Sequence, residues 1–312
     1  MYNSFFKFQE QPFNLTPDPK FVYLSSAHQE TLEHMIYGVK QRKGFILITG
    51  SIGTGKTTLT RLLMDYLDGK VQTALIFNTF LNEIELLRTI NREFGLPAEG
   101  SSREVLIESL NRFLINQLDS KGNAVLILDE AQNLSVPVLE QVRMLSNLET
   151  DSQKLIQIIL VGQPELARTL ARPDLAQLSQ RITVRCRLRP LDLEDTVRYI
   201  HHRLSVAGPQ GLSRFDSPSY RLIHKYSQGI PRRINALCDR ALLAAFAIGT
   251  RRVSPAFIRQ AQAELTDDPG TRFRRSRLRR LTARPLIPAA LIALAIILAA
   301  YFTLTRAGGS FP

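Results

Sequence analysis

At 312 residues and 44% hydrophobic, the chain can bury one large or two smaller cores, and no segment before residue 266 is polar enough to stay disordered. Two distant cysteines, Cys186 and Cys238, with no CxxC or Cys/His cluster, argue against a disulfide framework or a zinc site and suit a reducing compartment. The net charge of +12 points to nucleic acid only until it is located: seven of the twelve charges are Arg272, Arg274, Arg275, Arg277, Arg279, Arg280 and Arg284.

Residues 1–25, rich in phenylalanine and proline, read as an ordered strap rather than a helix. They lack the basic and apolar regions of a cleavable signal peptide. Ser25 or Ser26 caps a helix that runs to about Lys40. Phe45–Thr49 is then a short apolar run ahead of a glycine-rich turn, as in a buried strand of a parallel sheet. Further strands are expected at Thr73–Phe77, Ala124–Leu128, Leu155–Val161 and Ile182–Leu188. Helical patterns at Thr57–Leu67, Glu83–Phe94, Ser102–Leu118 and Val136–Leu148 separate them. The alternation implies right-handed βαβ crossovers.

After Leu188 only helices are expected: Asp192 to about Val206, Ser217 to near Gly229, Pro231–Ile248 and Ser254–Leu265. The adjacent His201 and His202 fall on different helix faces, which argues against a shared metal. Residues 266–285 read as a basic tether. Leu286–Leu304 is nineteen residues without charge, roughly 28 Å as a helix, and is expected to span a bilayer. The arginines before it place the N-terminal part in the cytoplasm and residues 305–312 as a short extracytoplasmic tail.

The chemistry begins at Gly50-Ser51-Ile52-Gly53-Thr54-Gly55-Lys56-Thr57, a GxxxxGK[ST] loop between a strand and a helix. Glycines let successive backbone N–H groups curl around a polyphosphate, and the next helix presents its positive end. Gly50, Ser51, Ile52, Gly53, Thr54, Gly55, Lys56, Thr57 and the following Thr58 are the expected ATP-binding residues, with Lys56 on the β- and γ-phosphates. Thr57 and Asp129 are the expected Mg²⁺ ligands, Asp129 acting through the second shell. Ala124–Glu130 is a buried strand ending in two acids, where Glu130 would polarise the attacking water.

Three residues could complete the site. Gln163 ends the fourth strand and could touch the γ-phosphate or the water, or be a turn glutamine before Pro164. Arg181 begins the fifth strand and could reach a neighbouring subunit, or be solvated. Arg232 sits in the first turn of the Pro231 helix, where a cation opposes the helix dipole unless an anion is near.

With these residues in place the chain resembles the AAA+ ATPases from near Phe13 to about Leu265: Walker A at Gly50–Thr57, Walker B at Leu126–Glu130, sensor 1 at Gln163, the arginine finger at Arg181 and sensor 2 at Arg232. The resemblance implies a P-loop α/β sandwich with a five-stranded parallel sheet of order 5-1-4-3-2 and a helical lid. It also implies ring or partial-ring homo-oligomers. The expected organisation is an ATPase core with strap over 1–190, a lid over 191–265, the tether, a single transmembrane helix and the tail.

More narrowly, RKGFILITGSIGTGKTTL, LILDEAQNL, IILVGQPEL, LSQRI and GIPRRIN are similar to the general secretion pathway A (ExeA) type and its pilus- and exopolysaccharide-associated relatives. That implies an inner-membrane, single-pass ATP hydrolase with an inner-membrane partner protein, serving an envelope export system. Only Thr305–Pro312 follow the apolar segment, which departs from a type that often carries a peptidoglycan-binding domain there. Helper ATPases of transposition share the LDEAQ and GxPRxIN motifs and set the alternative, a DNA-associated ATPase with Arg272–Arg284 as a phosphate-contacting arm.

Overall fold

Strict alternation of buried residues along the strands divides the apolar side chains between two faces of one sheet. On β1 (Phe45–Gly50), Phe45 and Leu47 enter one hydrophobic cluster while Ile46 and Ile48 enter another. A computed structural model describes residues 2–266, apart from 17, 68, 70, 78, 101, 152 and 209–213. It opens with a helix where an extended strap was expected: α1 (Tyr2–Phe6). The proline spacing that argued against a helix begins only at Pro12, and Phe6 and Tyr2 are buried. Then come α2 (Ser26–Lys40), capped by Ser25, and, after β1, α3 (Lys56–Leu67) and β2 (Gln72–Ile76).

Next come α4 (Glu83–Glu93) and α5 (Arg103–Asp119). A reciprocal Asn82–Glu85 capping box closes the start of α4. β3 (Ala124–Leu128), α6 (Val136–Leu145) and β4 (Gln157–Gly162) follow. Two short helices that the sequence reading missed, α7 (Pro164–Leu170) and α8 (Ala176–Arg181), lead into β5 (Ile182–Leu188). Arg181 therefore ends a helix and does not begin a strand.

The five parallel strands run in the order β2-β3-β4-β1-β5, which is the expected 5-1-4-3-2 read from the other edge. α2 and α3 cover one face, while α4 to α8 cover the other. Because β4 lies between β1 and β3, the loops after all three strands emerge side by side at one end of the sheet.

Beyond β5 come α9 (Leu193–Ala207), α10 (Ser217–Ser227), α11 (Pro231–Ala247) and α12 (Pro255–Thr266). Their core takes in Tyr2, Phe6, Phe8, Phe13 and Phe21 from the N-terminal segment. His201 stacks on Tyr220 and His202 lies against Tyr23, so both rings are packing groups. Arg203 donates from Nε to the Pro12 carbonyl (2.5 Å), from Nη2 to that of Asn14 (3.3 Å) and from Nη1 to the Tyr199 hydroxyl (3.1 Å). Met1–Gln262 form one unit and Ala263–Pro312 a second, of which the described part is the last turn of α12.

The expected transmembrane helix is corrected: among the described residues no helix is long and apolar enough to cross a membrane. The longest, α5 and α11, have 17 residues each and carry charged side chains on the face away from their buried stripe. Such helices are built to cover a protein core, not to meet lipid on all sides. The residues 286–304 on which that expectation fell, with the expected tether and tail, lie outside the described residues.

Gly229 fixes how α10 turns into α11. Its φ is +70°, and a Cβ there would lie 1.9 Å from the Leu191 carbonyl oxygen. Its own carbonyl accepts from the Leu191 N–H at 2.9 Å, so the turn is pinned to the start of the helical layer. Gly229→Ala is expected to destabilise the protein by about 2–4 kcal/mol, read as a lower urea midpoint with an unchanged m-value.

Candidate functional site

The loop after β1 takes its shape from two glycines in left-handed or related conformations, Gly53 (φ +80°) and Gly55 (φ +102°). Among the described residues no acceptor is found for the N–H groups of Gly53, Gly55, Lys56 or Thr57. They are the free donors of a helix N-terminus, the arrangement that binds phosphate. Lys56 is 6% exposed, and its Nζ donates to the carbonyls of Gly50 (2.9 Å) and Ser51 (3.3 Å). Burial pushes its ammonium pKa down, against the pull of Glu130, Asp129 and Glu165.

Asp129 extends β3 into this loop. Its Oδ2 accepts from Thr57 Oγ1 at 3.0 Å, and its Oδ1 accepts from the Glu130 N–H at 2.9 Å. At 1% exposure, burial raises its pKa, while those two hydrogen bonds and Lys56 hold it back. Two hard oxygen donors, one a buried carboxylate still short of positive charge, meet here. That donor set fits Mg²⁺.

Glu130 adopts a left-handed backbone (φ 52°, ψ 35°), a strained conformation for a residue with a Cβ. Thr79 holds it there by donating to the Glu130 carbonyl at 2.9 Å. The carboxylate accepts from Gln132 Nε2 at 2.6 Å and, more weakly, from Gln163 Nε2 at 3.5 Å.

Gln132 was not singled out in the sequence, where it sits two residues past an acidic pair and resembles a polar turn residue. A single 3-10 turn over Ala131–Asn133 brings it back over β4, and its Oε1 accepts from the Gln163 N–H at 2.9 Å. Its passage requires Gly162, where a Cβ would lie 2.8 Å from Gln132 Oε1. The spacing of Gln132 from Glu130 in LDEAQ, with a glycine ending the neighbouring strand, was the available signal.

Arg232 also reaches the loop. Its N–H points at the Gly53 carbonyl at 3.4 Å, and a Cβ on Gly53 would meet the Arg232 Cβ at 2.7 Å. Arg232, Asn235, Lys56, Thr57, Thr58 and Glu130 line one cleft, whereas Arg233 turns away to Gln228. Ser51, Ile52 and Thr54 complete the loop, Thr54 Oγ1 bracing it by donating to the Ser51 carbonyl at 2.8 Å.

Arg181 is not brought to this cleft. It precedes Ile182, which pairs with Phe45 at the start of β1, whereas the phosphate loop follows Gly50 at its end. Its guanidinium donates to Ser146 Oγ and Asn147 Oδ1, both at 2.6 Å.

The sheet order, the glycine-turned loop and the paired acids make up a P-loop core of the AAA+ kind. Residues 39–170 match the family described as AAA domain. The chain is 43% identical over 275 residues to General secretion pathway protein A of Aeromonas hydrophila, covering 87% of this chain. It spans about half (50%) of that relative's length. The fold is shared with the ORC2 protein of Aeropyrum pernix in its ADPNP–ADP complexes (TM-score 0.63, 20% identity, 83% of this chain and 72% of that one). It is shared as well with Drosophila ORC bound to DNA (TM-score 0.62, 17% identity, 87% and 67%).

Gln132→Ala releases both the Glu130 carboxylate and the Gln163 backbone. ATP turnover is expected to fall about tenfold or more while nucleotide affinity stays within a factor of about two. Steady-state hydrolysis and a fluorescent-nucleotide titration read the two effects separately.

Proposed function

We propose that the chain binds and hydrolyses ATP with Mg²⁺ and uses the cycle to drive assembly or regulation of an envelope secretion, pilus or exopolysaccharide export system. The observation that carries the chemical half is the convergence of Lys56, Thr57 and Asp129, with Thr57 Oγ1 and Asp129 Oδ2 3.0 Å apart. The biological half rests on the General secretion pathway protein A similarity over 87% of the chain. In this reading the protein works at the cytoplasmic face of the bacterial inner membrane, with an inner-membrane partner protein.

The residues divide the work as follows. Gly50 through Thr58 hold the phosphates, the N–H groups of Gly53 and Gly55 and the ammonium of Lys56 meeting their charge. The base occupies the neighbouring cavity of about 110 Å³, lined by Val22, Leu24, Gly55, Thr58, Leu62 and Leu191. Thr57 and Asp129 would hold Mg²⁺, which when bound would draw charge from the phosphate oxygens.

Glu130, steadied by Gln132 and Gln163, accepts a proton from the water as its oxygen attacks the γ-phosphorus. The bond to the β–γ bridging oxygen breaks, leaving ADP and inorganic phosphate. Arg232 meets the charge from the lid side. Arg181 faces away from its own loop, so it serves the site of an adjacent copy in a ring or partial ring.

Glu130→Gln is expected to bind ATP normally and lose about two to four orders of magnitude in kcat. Retained turnover would remove Glu130 from its role. Lys56→Ala is expected to lose nucleotide binding. Arg181→Ala should bind ATP but not hydrolyse it, and mixing it with Glu130→Gln should recover turnover only where the site is shared. Recovery failing in every mixture would count against the shared site.

A further inference from the structure

The phosphate loop is gripped from behind by a side chain that its motif does not contain. His28, in the first turn of α2, is buried and shares a hydrogen bond of 3.0 Å between its Nε2 and the carbonyl oxygen of Thr54. A carbonyl only accepts, so Nε2 carries the proton. The other ring nitrogen, Nδ1, lies 2.6 Å from Ser25 Oγ, the residue that caps α2. Ser25 Oγ–H donates to Nδ1 while its oxygen accepts from the His28 N–H, which fixes both tautomer and ring plane. Burial lowers the imidazole pKa, against the Thr54 hydrogen bond and the charge of Asp195, and so favours the neutral ring this arrangement uses.

The consequence for the loop follows from peptide geometry. Thr54 and Gly55 share one planar trans peptide, in which C=O and N–H point in opposite directions. Holding the Thr54 carbonyl against α2 therefore turns the Gly55 N–H away from α2, into the curl of the loop. Gly55 is the residue at φ +102°, and a Cβ on it would lie 3.0 Å from His28 Nε2. The ring thus occupies the space that a side chain at this position would need. No other described side chain hydrogen-bonds the Thr54 carbonyl.

We propose that His28 is a positioning residue for nucleotide binding: through the Thr54 carbonyl it orients the Gly55 N–H toward the phosphates and holds the loop in its binding shape before nucleotide arrives. The proposal rests on the reading of this loop as an ATP site. It makes the start of α2 part of the phosphate-binding machinery and gives His28 a role that stops at binding. The chemical step, which belongs to Glu130 and its glutamines, does not pass through it.

The test uses the full chain and two variants. His28→Leu fills the space without a donor, and His28→Gln keeps an N–H that can reach the carbonyl. ATP and ADP affinities come from a fluorescent-nucleotide titration, kcat and KM from steady-state hydrolysis, and Tm from the nucleotide-free protein. His28→Leu is expected to raise Kd for both nucleotides and KM for ATP about tenfold, with kcat within about threefold. His28→Gln is expected to recover most of that loss. A Leu variant with wild-type affinity overturns the proposal, as does a Gln variant as impaired as the Leu variant at equal Tm. If wild-type protein itself fails to bind ATP in the same titration, the ATP reading falls and this proposal with it. Binding by wild type with no effect at His28 sinks the proposal alone.

Discussion

The arrangement depends on the hydrogen bond between Thr57 and Asp129, which joins two strands that are not neighbours. β1 and β3 are separated by β4, so their tips stand about 10 Å apart at ordinary strand spacing. The loop after β1 and the start of α3 carry Thr57 across part of that gap, and Asp129 extends past the end of β3 to meet it. The strand between them must not interfere. β4 ends in Gly162, and the absence of a side chain there lets Gln132 lie across the gap to the Gln163 backbone. Parallel order, an intervening strand ending in glycine and a hydroxyl in the first turn of a helix are three parts of one solution.

Lys56 and Asp129 are held by hydrogen bonds, and neither takes part in an ion pair among the described residues. Burial acts on Lys56 and Asp129 in opposite senses, lowering the first pKa and raising the second, so each is less at ease with its charge than in water. The lysine turns to two carbonyls of its own loop and the aspartate to a hydroxyl and an N–H. A polyphosphate with its divalent cation supplies the charges that each group lacks. Sites with strained, incompletely compensated polar groups are where ligand binding has most to offer, and the left-handed backbone of Glu130 belongs to the same pattern.

Much of this was legible in the sequence because the signals were local. Apolar runs of five to seven residues marked all five strands to within a few residues, and a loop motif between strand and helix placed Lys56 and Thr57. What was not legible depended on long-range contact. The N-terminal aromatics formed a helix because Tyr2 and Phe6 found a pocket in the helical layer, which no local propensity records. α7 and α8 are seven and six residues long, too short for a helical period to stand out. Gln132 and His28 act through backbone atoms of other segments, 31 and 26 residues away; the spacing in LDEAQ hints at the first, and nothing local announces the second. The apolar run at 286–304 lies outside the described residues.

Two consecutive carbonyls of the phosphate loop are addressed from different parts of the molecule. The Gly53 carbonyl faces the N–H of Arg232 on α11, at 3.4 Å, while the Thr54 carbonyl is held by His28 on α2, at 3.0 Å. α2 packs on the sheet and α11 on the helical layer, which the N-terminal segment also enters. Arg203, tying α9 to the carbonyls of Pro12 and Asn14, makes the strap follow the same layer. Asn14, Leu15 and Thr16 line the cleft beside Lys56 and Arg232, so the N-terminal segment and the helical layer both border the glycine-turned loop. The loop is thus held by a buried side chain on its sheet side and by a longer backbone contact on its lid side.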